Sequence, residues 1–509
     1  MALLNQADAV YLGGERVDRI YLGSEKVWAN FLPLDMFANG EKGAWRDPSD
    51  PASLFQDGSG APAQYGGTVY AIRDDVHDDN TFQQSSSLRP VYGRVPKGGQ
   101  RNLFSPSSNF SNGRWLKLGV SVTEVEVSSP IGNAYLLANV DGTMGSLRLQ
   151  AYLYYVFAVV KWTDNGDFLK VGHDNSVYPY AVFNIKDRSV VALRGGGAGR
   201  ANNPVIIELE DDWVLYGMGT SGSSIRPGIS ISHQDIINQT SYASDASCLI
   251  CAAQGQSIPY YTPYQEVVSD VDVSEPGARS INYLRFDQVD DHMTQTFPDG
   301  IQGDLIICGT EGSWVDENVV IPAGGDLTIG PKDLPNTPDM FSALGDIIGW
   351  VLIDRVTTAY ERRAVISYYR SKGAKGLLVE GPDDFITNGS FDTNLDGWGP
   401  TDGATWENSA VRLTRIGSDS HVRQRNNLTA SNLKYCILKI DVLEATGSLW
   451  LDVESESSIS RISNIPVGTL ILYYKPTPGG FIRIFERSVD NYTIIDNVSL
   501  RKLIPEEEL

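Results

Sequence analysis

The apolar residues of this chain come in runs too short for helices and too frequent for loops, which leaves few options for its fold. The clearest runs cover residues 115–127, 151–162, 181–185, 189–193, 205–210 and 213–218, with 283–286, 304–308 and 349–353 further along. They are rich in Val, Ile, Tyr and Trp, and turns such as Asp164-Asn165-Gly166-Asp167 and Gly195-Gly196-Gly197 separate them. β-Branched and aromatic residues favour half-buried strands, while Gly, Pro and Asn supply the turns between them. With no helical period between the runs, the 50 Gly and 25 Pro spread along the chain fit antiparallel sheets packed into sandwiches. The expected fold class is mainly β, with several antiparallel β-sandwich domains in series. One segment breaks the pattern. Thr357-Thr358-Ala359-Tyr360-Glu361 reads as a capped helix start, and Ala364, Val365, Tyr368 and Tyr369 recur at helical spacing up to a stop at Gly373.

At 509 residues the chain is too long for a single core, so several domains are expected. It is 41% hydrophobic and 20% charged, a globular composition and not a disordered one. The net charge of −22 repels phosphate backbones, so nucleic acid is not an expected partner; cations and basic surfaces are favoured. The longest apolar run, 151–160, falls short of the roughly 18 residues read as a membrane span, so no membrane insertion is expected. The start MALLNQADAV has no basic segment followed by an apolar one, so no secretory leader is expected. Four cysteines (Cys248, Cys251, Cys308, Cys436) in a chain this long do not make a disulfide framework.

A direct repeat lies near the N-terminus. Tyr11-Leu12-Gly13-Gly14-Glu15-Arg16-Val17 recurs as Tyr21-Leu22-Gly23-Ser24-Glu25-Lys26-Val27, followed by Trp28. Each copy pairs a short apolar strand with a Gly turn and a charged pair, a unit that buries little on its own. It reads as a docking module over 1–33, with Tyr11, Leu12, Tyr21, Leu22 and Trp28 as its docking residues, or as a strand pair folded onto the next domain. The densest run of carboxylates, Asp74-Asp75-Val76-His77-Asp78-Asp79, lacks the EF-hand spacing and reads as a solvated acidic loop. Gly381-Pro382-Asp383-Asp384 marks a linker before a last strand-rich block, and the charged tail 505–509 is expected to fray.

These residues resemble a family group. The YLG repeat, followed by Trp45-Arg46-Asp47-Pro48-Ser49-Asp50 and Leu54-Phe55-Gln56-Asp57, resembles the start of bacteriophage tail and fibre proteins. Arg89-Pro90-Val91-Tyr92, Arg101-Asn102-Leu103-Phe104 and Asn109-Phe110-Ser111-Asn112-Gly113-Arg114-Trp115 resemble the entry into a virion jelly-roll module, which closes in Gln254 and Thr262-Pro263-Tyr264. The segment from Tyr283 to Asp291 resembles the opening strand of laminin-G, concanavalin-like domains, and 347–372 their closing strand and helix. Asn388-Gly389-Ser390-Phe391-Asp392 with Gly397-Trp398, closing at Ile495-Asp496-Asn497-Val498-Ser499-Leu500, is similar to carbohydrate-binding-module jelly rolls. The resemblance implies jelly-roll domains and a laminin-G-like domain split over 34–99 and 269–380. A jelly roll spans the inserted 100–268, and a second one spans 381–509. It implies a phage tail fibre, head fibre or spike on the virion surface, made in the bacterial host cytoplasm and homo-oligomeric, with a trimer favoured. Other virion proteins (capsid, neck or tail) and a host cell-surface glycan are the implied partners. It also implies a structural Ca²⁺ held by Asp392 and Asp496; no other cofactor is expected.

Signs of chemistry are weak. The five histidines (His77, His173, His233, His292, His421) lie far apart, and none has metal-ligand spacing. Cys248-Leu249-Ile250-Cys251 has no second pair, so it reads as two packed thiols. No GxSxG elbow or phosphate-binding loop is present. No enzyme activity is expected. Trp398, Trp406, Tyr473 and Tyr474 are the candidate glycan-stacking residues, each weighed against a place in the core. The function expected is host-surface attachment. A purely architectural decoration or neck protein is the first alternative, and a polysaccharide-degrading tailspike the second.

Overall fold

The computed structural model describes residues 10–12, 15–17, 19–22, 25–29 and 32–506. Within that span it leaves out 75, 77–79, 141–145, 149–152, 174–178, 196–199, 222–226, 233–244, 259, 288–289, 331–343, 387–388, 392–394, 397, 400–402, 408, 416–419, 426–435, 448, 455–458, 464, 466, 475–480 and 487–490. The described chain is mainly β, in several antiparallel sheets with one α-helix. No described helix is long and apolar enough to cross a membrane. The chain divides into two compact units, Met1–Tyr92 with Asn282–Leu509, and Gly93–Ile281.

In the first unit each copy of the N-terminal repeat closes its own hairpin. Val10–Leu12 pairs with Glu15–Val17, and Arg19–Leu22 with Glu25–Ala29. Among the described residues no third strand joins either pair. A sandwich follows. One sheet runs, in spatial order, Gly325–Ile329, Met293–Phe297, Asn80–Phe82, Ala71–Arg73, Leu54–Phe55. The other centres on Ile347–Ile353, bonded along one edge to Ile301–Gly309 and along the other to Gly43–Arg46. Leu54, Ile72, Met293 and Leu327 meet Leu305, Ile307, Trp350 and Leu352 between the sheets. Arg46 is fully buried on this framework. It pairs with buried Asp74 at 2.7 Å and donates to Thr81 and Gln295 at 2.7 and 2.9 Å, so the charge is neutralised and its donors are used.

Helix α1 (Ala359–Ser371) starts where the sequence predicts. The Thr358 hydroxyl accepts from the Glu361 N–H at 3.2 Å, and the Glu361 carboxylate accepts from the Thr358 N–H at 2.8 Å. The Arg355 guanidinium, with help from Thr358, holds the Glu361 carboxyl down at about 2. The buried face of α1 carries Val365, Ile366 and Tyr369. A Cβ at Gly349 would lie 2.1 Å from the Tyr369 ring, so the helix seats only over a glycine. The Tyr369 hydroxyl then donates to the Arg46 carbonyl and accepts from the Trp45 indole, at 2.8 and 3.0 Å.

The second unit is built on eight strands: β1 (Ala134–Asn139), β2 (Ser146–Arg148), β3 (Tyr155–Lys161), β4 (Phe168–His173), β5 (Tyr180–Asn184), β6 (Val214–Ser221), β7 (Pro227–Ser232) and β8 (Ser247–Gln256). They lie in the orders β1-β8-β3-β6 and β2-β7-β4-β5, with all pairings antiparallel. Two four-stranded sheets filled in this alternating sequence are the two Greek keys of a jelly roll. Extra strands extend both edges of both sheets. The run at 115–127 divides between them: Leu116–Leu118 joins β2 and Val120–Val125 joins β1. Gly119 sits between the two at φ 63°, a left-handed turn that carries the chain from one sheet to the other.

The C-terminal part of the first unit repeats this order. Its strands are β9 (Ala410–Thr414), β10 (Ser420–Arg425), β11 (Cys436–Ala445), β12 (Leu449–Glu454), β13 (Ile459–Ser463), β14 (Gly468–Tyr474), β15 (Phe481–Glu486) and β16 (Tyr492–Pro505). The sheets read β9-β16-β11-β14 and β10-β15-β12-β13, a second jelly roll. Ala404–Glu407 extends β9, and Leu378–Asp384 pairs with β16. Its core contains Val411, Leu413, Val422, Leu438, Ile440, Leu449, Leu451, Ile482 and Ile484.

Candidate functional site

Two kinds of polar construction stand out, one in each jelly roll. In the first jelly roll, buried amides tie the chain entering the fold to the chain leaving it. Gln265 accepts from the N–H groups of Arg101 and Asn102 at 2.6 and 3.1 Å. It donates to the Gly99 carbonyl and the Glu275 carboxylate at 3.0 and 2.9 Å. Gln254 accepts from the Gln265 N–H at 2.7 Å and donates to Thr262 and the Pro263 carbonyl at 3.2 and 3.3 Å. Asn102 donates to the Gln265 carbonyl at 2.7 Å, and the Tyr264 and Ser107 hydroxyls bond at 2.8 Å. Gln254, Gln265, Asn102 and Ser107 are all fully buried, so the satisfied network serves as a clasp.

Cys248 and Cys251 both lie on β8, three residues apart, so strand alternation sends them to opposite faces. Cys248 packs among Leu137, Val160 and Ile250, and Cys251 among Phe157, Leu215 and Tyr264. Burial pushes both thiols up to about 12. Both are free, buried thiols on opposite faces of the strand.

In the second jelly roll, besides the buried bond that Thr493 donates to Glu486 at 2.6 Å, a charged and aromatic set lies on a sheet face away from the core. Alternation along β10, β15 and β12 turns Val422, Ile482, Ile484, Leu449 and Leu451 into the core and sets Arg423, Phe481, Arg483, Phe485, Trp450 and Asp452 on the other face. In register, Arg423 stands opposite Arg483, and Arg483 opposite Asp452; His421, Phe485 and Trp450 form the neighbouring row. The Arg423 guanidinium lies 4.0 Å from the Phe481 ring centroid and that of Arg483 lies 4.8 Å from Phe485. Trp450 and Phe485 are 6.0 Å apart at 41°. Arg483 also pairs with buried Asp452, whereas Arg423 has no carboxylate partner among the described residues. Ring faces and forked cationic donors thus share one sheet face. The alternation of LWLDV at 449–453 was a visible signal for part of this face.

The residues singled out from sequence do not form this site. Trp398 is 6% exposed and packs in the core, 5.3 Å from Phe391, because the Gly-Trp turn folds inward. Trp406 is 44% exposed on the edge strand Ala404–Glu407, where its indole donates to the Phe391 carbonyl at 2.6 Å. Tyr473 and Tyr474 lie on β14, opposite Ile437 and Cys436, in the other sheet. Their side chains, like those of Tyr11, Leu12, Tyr21, Leu22 and Trp28 on the hairpins, lie outside what the structure describes. Asp392 also falls outside the described residues. Asp496 stands opposite Asp441 between β16 and β11 and accepts from the Asn497 N–H at 2.7 Å.

Sequence reasoning passed over a cluster of three carboxylates. Oxygens of Asp287, Asp290 and Asp291 lie within 4.8 Å of one another, a hard-donor set of the kind Ca²⁺ takes. Burial, together with the neighbouring Asp287 and Asp290 charges, raises the Asp291 carboxyl.

No protein-family model matches this chain, and no curated protein does. Among solved structures, it is similar to one from Sulfolobus turreted icosahedral virus (11% identity, TM-score 0.16, covering 80% of this chain and 99% of that one). Another, described as a triple jelly roll fold in an archaeal virus, gives 10% identity and a TM-score of 0.16 over 81% and 98%. Vicilin from hazelnut, Corylus avellana, gives 8% identity and 0.12 over 77% and 88%. TM-scores this low carry no argument, and the jelly-roll architecture rests on the strand orders above.

Proposed function

We propose that this protein is a structural subunit of a phage virion, a surface fibre or spike that attaches to host glycan through its second jelly roll. The carrying observation is the β10-β15-β12 face turned away from the core, where half-buried Trp450 and Phe481 are combined with Arg423 and Arg483. Sugar rings stack on such aromatic faces, and forked donors orient them. The virion assignment rests on the residue resemblances from the YLG repeat to the last strand. In this reading the tandem hairpins over 1–33 dock on other virion proteins, since a lone hairpin is marginal without a neighbour. The chain acts by adhesion and not by bond cleavage. Weak contacts gain strength from many copies, for which a homotrimer is the proposed form.

The test is retention of the purified full-length protein on a panel of intact bacterial cells. Saturable binding that free protein competes away, weakened when Trp450 is replaced by Ala, supports attachment. A folded protein that binds no cells, but whose loss makes particles fragile, replaces it with the architectural role.

A further inference from the structure

We infer that the β10-β15-β12 face takes an acidic polysaccharide, one whose sugar rings carry carboxylates; this rests on the attachment reading above. The chain has a net charge of −22, so most of its cations find acidic neighbours at little cost. This face is an exception. Arg423 and Arg483 stand directly opposite each other on adjacent antiparallel strands, and like charges so placed repel. Of these two, among the described residues, Arg483 is neutralised, by Asp452. Arg423 is held over the Phe481 ring at 4.0 Å with no carboxylate partner among the described residues, and the Nε of Arg483 has no hydrogen-bond partner. The row across the sheet reads Arg423, Arg483, Asp452, Arg461, so arginines outnumber its one carboxylate and the Arg423 fork is left for an anion from outside. Half-buried Phe481 lies under Arg423, and half-buried Trp450 stands two strands away on the same face. A planar carboxylate matches a guanidinium fork in two parallel hydrogen bonds, as a neutral hydroxyl does not. A sugar ring on the aromatics with its carboxylate at Arg423 satisfies both features together and relieves the arginine repulsion.

The experiment compares full-length wild-type protein with R423Q and R423K. Binding to polygalacturonate and to neutral dextran is measured alongside binding to the cell panel, with each variant's unfolding temperature as a check on folding. The expected result is retention by polygalacturonate and not by dextran, weakening as salt rises. R423Q should lower the affinity about tenfold or more, for polymer and cells alike. R423K should fall between, because it keeps the charge and loses the fork. If cells bind R423Q and wild type equally, or dextran is held as tightly as polygalacturonate, the acidic-sugar inference falls and attachment stands. If folded protein binds neither polymers nor cells, both fall.

Discussion

The two jelly rolls share one strand order and differ in what each does with the second face of a sheet. In the first, β3 is buried on both sides: Val156, Ala158 and Val160 face the sandwich interior, while Tyr155, Phe157 and Val159 pack under Trp213 and Tyr264. Inside it the Gln254–Gln265–Asn102 clasp satisfies buried amides, and on the outer face of β4 Lys170 lies 4.3 Å from the Tyr180 ring centroid. In the second, it is the other sheet, β10-β15-β12, whose face away from the core carries arginines over aromatic rings. A strand order therefore says nothing about which copy binds, and the chemistry of one face does. In the proposed reading the first serves as scaffold and the second as the contacting domain.

The largest test of this contrast removes the clasp. Gln265→Leu takes a partner from the buried Asn102 N–H, the half-buried Arg101 N–H and the half-buried Glu275 carboxylate. Each such loss costs about 1–3 kcal/mol, so a total of about 3 kcal/mol or more is expected from the first jelly roll. In a chain of several domains one melting curve mixes transitions, so hydrogen exchange is the better measurement. Amides near 99–107 and 254–267 should lose protection while those of β10 and β15 keep theirs. Equal loss in both jelly rolls would mean that they do not fold as separate units.

A smaller effect comes from adding one methyl group to each jelly roll. At Gly389 the new Cβ would sit 1.7 Å from the Val498 carbonyl oxygen, part of the main chain of β16. At Gly255 it would meet the ends of Leu153 and Phe104, at 2.2 and 2.5 Å. Backbone cannot step aside as side-chain tips can. Gly389→Ala should therefore cost about 3 kcal/mol and Gly255→Ala about 1 kcal/mol, read as lost hydrogen-exchange protection within each jelly roll. A reversed order would show the first jelly roll to be the more tightly packed of the two at these points.

How much of this was legible depends on the range of the interaction. The strand at 189–193 returns as Ser189–Arg194 and the helix start at Thr358 as its cap, because alternation and capping are local. The fold class followed from the same local signals. The site did not. Arg423 and Arg483 belong to strands far apart in sequence, and only the register of β10 against β15 brings them together. Trp398 drew attention through its Gly-Trp motif, yet a tryptophan after a turn is as suited to closing a core as to covering a ligand. Trp450 alternates plainly between Leu449 and Leu451, but alternation alone does not say which face remains open. That depends on what the rest of the chain packs against each sheet.

The smallest effect expected concerns the thiols, and it separates the jelly rolls by opening and not by stability. Cys248 and Cys251 in the first jelly roll and Cys436 in the second are all buried, and burial pushes each up to about 12, with Lys502 slightly opposing this at Cys436. A pKa raised above its unfolded value means that the folded state holds the proton more tightly. That stability is whole below about 9 and is lost as pH climbs toward 12. At pH 8 a thiol reagent should therefore find almost no thiolate in the folded protein and react only through opening. The clasp restrains the first jelly roll, while no such buried amide network binds the ends of the second among its described residues. Cys436 should accordingly be labelled before Cys248 and Cys251, a sequence that mass spectrometry of timed reactions reads directly. In Gln265→Leu the order should narrow or invert, with the two β8 thiols gaining on Cys436. Should Cys248 and Cys251 react first in the wild type, the clasp would be a passive filler of polar space, and the division between a scaffold jelly roll and a contacting one would lose its physical basis.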